Sequence, residues 1–146
     1  MNRTQKALAC FADGYNCAQS VLSAFADELR VDEGVAFRIS AGFGGGMGRM
    51  GETCGAVTGA VMVLELRHGV AEADQDAKER VYHQIAEFIR QFKARHGTCT
   101  CRELLGCDLS TPEGLQRARD EGLFTTACPR FVHDAVKILE EMENNW

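Results

Sequence analysis

The sequence predicts an all-α fold: a compact, single-domain helical bundle over residues 1–146, with a glycine-rich loop before a buried central helix. Several segments repeat apolar residues at the three- and four-residue spacing of a buried helix face. The two prolines, Pro112 and Pro129, both stand where a helix is predicted to begin. Eight of the fifteen glycines lie between Gly42 and Gly59, before or within an apolar run that contains no proline. A chain of 146 residues is long enough to bury a core as one domain.

Two helices are predicted before the glycine-rich loop. The first spans Asn2 to Ala12. Asn16 is a good N-cap for the second helix, in which apolar residues continue at helical spacing as far as Leu29. Cys17 is then the first helical residue. A short apolar piece at 35–41, one or two helical turns long, leads into the loop.

The segment from Gly42 to Gly51 predicts a tight loop that delivers the N-terminus of the central helix. Cys54 would lie in the first turn of that helix. Unpaired backbone N–H groups and the positive end of the helix dipole would lower the pKa of its thiol. Gly51, Gly55 and Gly59 recur every four residues, and on a helix they would form one face that another backbone or a cofactor can approach closely.

Four more helices are predicted in the second half of the chain. The longest runs from Asp74 to His96, with one apolar stripe. Thr100 is predicted to cap a short helix at 101–105 through a capping box, which places Cys101 in the first turn. A polar helix follows from 110 to about 121, and Cys128 stands at the start of the last helix.

Composition and charge exclude several classes of protein. The net charge is −5 and no basic cluster stands out, which disfavours binding to nucleic acid or to an anionic membrane. The apolar run at 56–66 is shorter than the roughly 20 residues of a membrane span. The N-terminal apolar stretch at 7–12 is shorter than the roughly 7–15 residues of a signal peptide, so we expect a cytoplasmic protein. The loop lacks the G-x-x-x-x-G-K-[ST] pattern of a phosphate-binding loop.

Seven cysteines are an odd number for a disulfide framework, and without an export signal they favour metal or redox chemistry. Four of them stand at predicted helix starts: Cys17, Cys54, Cys101 and Cys128. If these starts converge, the site is thiol-rich and electropositive, which suits thiolates around iron–sulfur or zinc, or a dithiol that cycles with a disulfide. Four thiolates match a two-iron cluster and a closed zinc site equally well. The alternative is that most of these cysteines are inert buried thiols.

Four stretches of the chain carry a resemblance: FADGYNCAQ (11–19), GFGGGMGRMGETCGAVTG (42–59), CRELLG (101–106) and the late Cys128. They resemble the redox-active family named C_GCAxxG_C_C, over nearly the whole chain. The resemblance implies a small redox-active protein whose four characteristic cysteines correspond to Cys17, Cys54, Cys101 and Cys128. Cys10, Cys99 and Cys107 lie outside this pattern, and Cys99 or Cys107 could substitute as a ligand or as a resolving thiol.

The pattern is also similar to the cysteine-bearing region of split-Soret cytochromes, which carry an iron–sulfur centre besides haem. This chain has no C-x-x-C-H haem attachment motif, so only the cluster part of that similarity could apply. A pairing of cysteine with histidine is also conceivable, because His96 is close in sequence to Cys99 and His133 to Cys128.

Three hypotheses follow. In the first, Cys17, Cys54, Cys101 and Cys128 hold an iron–sulfur cluster, with the two-iron form favoured, for electron transfer or redox sensing. The loop would then wrap the cluster and donate backbone N–H groups to sulfur through five glycines: Gly44, Gly45, Gly46, Gly48 and Gly51.

In the second hypothesis the protein is a thiol–disulfide or peroxide-active enzyme, with Cys54 as its catalytic nucleophile. In the third it is a structural module stapled by zinc. Copper or another thiophilic metal also remains open. The redox partner is not identified by the sequence, and the glycine-lined face could serve a homodimer as well as an internal contact.

Overall fold

A computed structural model describes residues 1–145, and within them the predicted all-α class is confirmed. The α-helices are α1 (Arg3–Ala12), α2 (Cys17–Phe25), α3 (Glu33–Ser40), α4 (Gly55–His68), α5 (Gln75–His96), α6 (Cys101–Leu105), α7 (Pro112–Asp120), α8 (Leu123–Thr126) and α9 (Cys128–Glu143), and a 3₁₀ turn follows α3 at Ala41–Phe43. No helix in this part of the chain has the length and apolar character needed to cross a membrane.

Helix α2 starts where the sequence predicts and ends earlier. The Asn16 side chain accepts the Gln19 N–H at 2.9 Å, and the Gln19 side-chain oxygen accepts the Asn16 N–H at 3.0 Å. These two bonds form a capping box. The predicted extension to Leu29 is wrong, because α2 ends at Phe25 and the chain continues in turns through Arg30, which has a positive φ of 58°. Leu29 nevertheless packs against the core, and this explains why its apolar spacing persists.

Helices α2 and α4 pack closely because two glycines of α4 face the backbone of α2. A Cβ added at Gly59 would lie 2.8 Å from the Ala18 carbonyl oxygen, and one at Gly55 would lie 2.9 Å from the Ala18 nitrogen. The prediction that Gly51 extends this face is wrong, because Gly51 lies in the loop with a φ of +72° and contacts Arg102. The face formed by Gly55 and Gly59 is covered within the chain and is not available to a second copy.

An ion-pair network joins the C-terminal parts of α2, α4 and α9. Arg67, near the end of α4, lies 3.0 Å from Glu28, just beyond α2, and 2.7 Å from Glu143, the last residue of α9. Arg3 of α1 contacts the same two carboxylates at 2.6 and 2.9 Å. Both guanidinium groups lie over the ring of Phe25, the last residue of α2. The three helices therefore end close together on one side of the molecule.

The glycine-rich loop folds back on itself in a left-handed conformation. All residues from Gly45 to Arg49 have positive φ, including the non-glycine residues Met47 and Arg49. The loop closes through its own backbone: the Gly48 N–H donates to the Gly42 carbonyl at 2.9 Å, and the Gly51 N–H donates to the Gly45 carbonyl at 3.1 Å. Glycine suits such a run because L-side chains disfavour this region.

The loop also pairs with the chain ahead of α6, which the sequence did not predict. Thr53 forms an antiparallel bridge with Thr100, and the Cys101 N–H donates to the Glu52 carbonyl at 2.7 Å. The predicted capping box at Thr100 is wrong, because its side chain makes no capping hydrogen bond. Carbonyl groups of the loop satisfy the first N–H groups of α6 instead.

A buried four-cysteine site

Cys17, Cys54 and Cys128 meet at the starts of α2, α4 and α9. Cys17 is the first residue of α2, and its thiol forms hydrogen bonds with both Cys54 and Cys128. Cys54 directly precedes α4 as its N-cap, one position ahead of the predicted first turn, and is 4% exposed. Cys128 is the first residue of α9 and is also buried. The three helices that end together at the ion network therefore also begin together, at these cysteines.

Cys101 adds a fourth thiol to the group. It is the first residue of α6. A short ladder, formed by the Thr53–Thr100 bridge and the hydrogen bonds on either side of it, holds Cys101 beside the N-terminal end of α4. Burial, together with the negative charges of Cys54 and Cys128, raises the pKa of Cys101 to about 12. Cys101 is therefore close enough to Cys54 and Cys128 to interact with their charges.

The environment of Cys54 favours its thiolate. A hydrogen bond from the Cys17 thiol lowers the pKa of Cys54, and the backbone N–H groups of Ala56 and Val57 act in the same direction against the opposing effect of burial. The two N–H groups act on the sulfur from the first turn of α4 without forming a full capping hydrogen bond. The sequence predicts the contribution of these N–H groups, whereas the larger contribution of Cys17 arises from the packing of α2 against α4.

Cys17 has the opposite tendency. Its hydrogen bonds with Cys128 and Cys54, together with burial, raise the pKa of Cys17 well above its ordinary value. Of the two thiols, Cys54 therefore ionises first, and Cys17 keeps its proton to a higher pH. Four thiolates cannot coexist here unless a cation replaces the protons.

Cys99 is a fifth cysteine close to the site. Its carbonyl oxygen accepts the Cys54 N–H at 2.8 Å, one step along the ladder from the Thr53–Thr100 bridge. Burial raises the pKa of Cys99, the positive charge of Lys93 opposes the increase, and the charge of Cys54 adds to it. The two remaining cysteines lie elsewhere: Cys10 accepts a hydrogen bond from Ser23 Oγ at 3.5 Å, and Cys107 is buried in the core.

Among the five loop glycines that the sequence marks for a cofactor, Gly46 is the one in direct contact with a site cysteine. A Cβ at Gly46 would lie 2.7 Å from the Cys101 Cβ. Gly44 packs against the Asn16 side chain, and Gly45 packs against Arg49. Gly48 and Gly51 donate their N–H groups to carbonyls inside the loop, so neither is free to donate to sulfur in this conformation.

The two histidines near the cysteines in sequence are paired with a carboxylate. His96 Nε2 lies 2.8 Å from Asp134 Oδ2, and His133 Nδ1 lies 2.9 Å from Asp134 Oδ1. Burial works to raise the pKa of Asp134, but the hydrogen bond from His133 and the charges of His96, His133 and Arg95 outweigh it and lower the pKa. The structure therefore provides no cysteine–histidine pair of the kind that the spacing suggested.

Within residues 1–145, no group of three or more His, Cys, Asp or Glu side chains is arranged as it stands to hold a metal ion. A surface cavity of about 470 Å³ has no cysteine in its lining. It is lined by residues of α4 and α5, namely His68, Glu79, Arg80, His83 and Gln84.

The family described as "Putative redox-active protein (C_GCAxxG_C_C)" matches residues 15–142. The chain belongs to this family. The matched range includes Cys17, Cys54, Cys101 and Cys128, so all four cysteines at helix starts lie inside the C_GCAxxG_C_C region, together with Cys99 and Cys107. No curated protein and no solved structure matches the chain.

Proposed function

We propose that this protein transfers electrons or senses redox state through an iron–sulfur cluster, in its two-iron form, held by Cys17, Cys54, Cys101 and Cys128. The observation that supports the proposal is the interaction of Cys17 with Cys54 and Cys128 at three helix starts, with Cys101, at a fourth helix start, close enough to interact with the charges of Cys54 and Cys128. A dithiol reaction needs only two sulfurs, whereas a two-iron cluster uses four.

Burial of the site supports electron transfer over group transfer. Cys54 is 4% exposed, and Cys101 and Cys128 are buried as well. A substrate must reach the sulfur atom if a bond to it is to form, but an electron can leave a cluster that no substrate touches. Thiols enclosed in this way are therefore better suited to holding a redox group than to forming a bond with a substrate.

The orientation of the helices supports a negatively charged occupant. The positive ends of the α2, α4 and α9 dipoles point toward the cysteines, and each of these helices is at least nine residues long. An iron–sulfur cluster with four thiolate ligands is anionic and would be stabilised there. The raised pKa values of Cys17 and Cys101 mean that cluster assembly must release their protons.

The number of ligands fits both a two-iron cluster and a single zinc ion, and we propose the two-iron form. Within residues 1–145 no three donor side chains are arranged to hold a metal ion, so either metal requires the four cysteines to move closer together on binding. A two-iron cluster spreads its four thiolates over two metal positions. The loop would cover this cluster, with Gly46 as its nearest point beside Cys101.

A second candidate is thiol–disulfide or peroxide chemistry at Cys54. It is favoured by one observation, the hydrogen bond from Cys17 that lowers the pKa of Cys54. A thiolate at neutral pH is a better nucleophile than a thiol, and Cys17 would be a nearby second sulfur. This candidate requires an oxidant small enough to enter a nearly closed site.

Anaerobic purification followed by visible spectroscopy and metal analysis tests the proposal. Charge-transfer bands with bound iron and sulfide are the expected result, lost in Cys54→Ser and retained in Cys107→Ser. Cys107 is the matched control because it is as buried as Cys54, at 3% exposure, and lies outside the site. Colourless protein with stoichiometric zinc would support the structural alternative. Metal-free protein with a fast-reacting thiol would support the enzyme.

A further inference from the structure

The ladder between the loop and the chain ahead of α6 brings two cysteines face to face. Thr53 and Thr100 form the antiparallel bridge, so the next residues along the two chains, Cys54 and Cys99, lie opposite one another. The 2.8 Å hydrogen bond from the Cys54 N–H to the Cys99 carbonyl fixes this register. Cys99 is outside the four cysteines assigned to the proposed cluster.

Opposite positions on antiparallel chains suit a disulfide. Their Cα atoms lie roughly 5.5 Å apart when a hydrogen bond joins them, and their side chains project to the same side. Disulfides span Cα separations of about 4.4–6.8 Å. The negative charge of Cys54 also contributes to the raised pKa of Cys99, after the effect of burial.

Cys17 could also form a disulfide with Cys54, but its position in the fold is more restricted than that of Cys99. It lies in the first turn of α2, and its Cβ is 3.1 Å from the position that a Cβ on Gly55 would take. Movement of Cys17 would disturb the close α2–α4 contact. Cys99 is half-buried and lies between α5 and α6, outside any helix.

We infer that Cys99 is the resolving cysteine of this protein, and that a peroxide oxidises the metal-free form to a Cys54–Cys99 disulfide. In the first step the Cys54 sulfur attacks one oxygen of hydrogen peroxide, the O–O bond breaks, and sulfenic acid and one water form. In the second step the Cys99 sulfur attacks the Cys54 sulfur and its thiol proton leaves with the hydroxyl as a second water. Two thiols are oxidised, and one peroxide is reduced to two waters.

The disulfide has a regulatory consequence that rests on the proposed function. It removes Cys54 from the set of four ligands, so oxidised protein cannot assemble the cluster until a thiol reductant opens the bond. A bound cluster would in turn protect Cys54, because its sulfur is then coordinated. Cys99 would thus link peroxide exposure to the state of the site.

The experiment treats reduced, metal-free, full-length protein with stoichiometric hydrogen peroxide, blocks the remaining thiols by alkylation and maps disulfides by peptide mass spectrometry. The expected product is a Cys54–Cys99 link, absent in Cys99→Ser and unchanged in Cys107→Ser. A dominant Cys17–Cys54 link, or sulfinic acid at Cys54 with no link, would overturn the inference.

A parallel cluster reconstitution separates this inference from the proposed function. Cys99→Ser should take up iron and sulfide like the natural chain when reduced, and should keep that capacity after peroxide treatment. The natural chain should lose it until thiol reductant is added. Failure of reduced natural protein to take up iron would refute the cluster while the mapped disulfide still stood. If the natural chain still takes up iron and sulfide after peroxide treatment, the proposed control of cluster assembly by the Cys54–Cys99 disulfide is wrong.

Discussion

The sulfur of Cys54 shows how neighbouring groups can reverse the effect of burial. Burial raises the pKa of a thiol, and it is the largest cause of the raised pKa of Cys101, which is also buried. At Cys54 the donor thiol of Cys17 and the N–H groups at the start of α4 outweigh that effect. One thiol with a lowered pKa thus lies beside Cys17 and Cys101, whose pKa values are raised.

Replacement of Cys54 by serine should remove the function and leave the fold. The change is close to isosteric, so we expect a loss of about 1–2 kcal/mol in the free energy of unfolding, with nearly unchanged far-ultraviolet circular dichroism. Cys107→Ser should cost a similar amount, because Cys107 is equally buried. Only Cys54→Ser should abolish the visible absorption of the cluster or, in metal-free protein, the reaction of the fast-reacting thiol. Global unfolding of Cys54→Ser alone would instead indicate a structural role for this cysteine.

The protonated cysteines give the metal-free protein a defined dependence on alkaline pH. Cys17, Cys99 and Cys101 have raised pKa values in the folded state, so the folded chain binds more protons than the unfolded chain above about pH 9. The stability they contribute is complete below that pH and is lost as pH rises toward about 12 for Cys101. Cys54, with its lowered pKa, acts in the opposite direction: the stability it contributes is present above about pH 9 and is lost as pH falls.

Urea denaturation of the metal-free protein at a series of pH values measures this slope. We expect the free energy of unfolding to fall as pH rises above about 9, and to fall less steeply in Cys101→Ser. An unchanged slope in Cys101→Ser would mean that Cys101 titrates alike in the folded and unfolded chains.

At the scale of the elements, local signals determine where helices begin. Asn16 and Gln19 form the capping box of α2, and Pro129 lies in the first turn of α9, so the positions of Cys17 and Cys128 could be predicted from a few neighbouring residues. The end of α2 could not be predicted in this way. Leu29 continues the helical spacing of apolar residues, although it lies in a turn and packs against the core from there.

The ladder between Thr53 and Thr100 was also beyond prediction from sequence. Neither segment carries the alternating pattern of a strand, and the two are far apart in the chain. The position of Cys99 opposite Cys54 depends on this pairing. The four cysteines at helix starts could therefore be selected from the sequence, whereas the fifth could be recognised only in the structure.

The α2–α4 contact supplies a prediction about an element. In Gly59→Ala the new methyl group would lie 2.8 Å from the Ala18 carbonyl oxygen, which is backbone and can yield only if the helices separate. We expect a loss of about 1–3 kcal/mol in the free energy of unfolding, although alanine favours the helix itself, and weaker cluster retention as Cys17 moves from Cys54.

Gly42→Ala is the control for this substitution, because a Cβ there meets nothing within 4 Å. Chemical denaturation gives the change in stability, and the rate at which the visible absorption bleaches in the presence of a chelator gives cluster retention. Stability equal to that of the natural chain in Gly59→Ala would show that the two helices are not held at backbone contact.

At the scale of the whole molecule, α2, α4 and α9 run in the same direction between two charged ends. Their N-terminal ends meet at the cysteines, and their C-terminal ends meet at the pairs of Arg3 and Arg67 with Glu28 and Glu143. Parallel packing of three helices places three like dipole ends side by side, which is unfavourable by itself. Guanidinium groups offset the negative ends, and thiolates or an anionic cluster would offset the positive ends.

The ion network should stabilise the molecule without contributing to the chemistry at the other end. α4 alone spans roughly 20 Å, so Arg67 is far from the cysteines. Its side chain is 15% exposed and pairs with two carboxylates, so Arg67→Ala should lower the free energy of unfolding by about 1–3 kcal/mol.

Arg90→Ala is the control, because the ion pair of Arg90 with Glu87 is largely exposed and should contribute less than about 1 kcal/mol. Denaturation and visible spectra of both variants test this; a folded Arg67→Ala protein that cannot hold the cluster would show that the two ends are coupled through the helices.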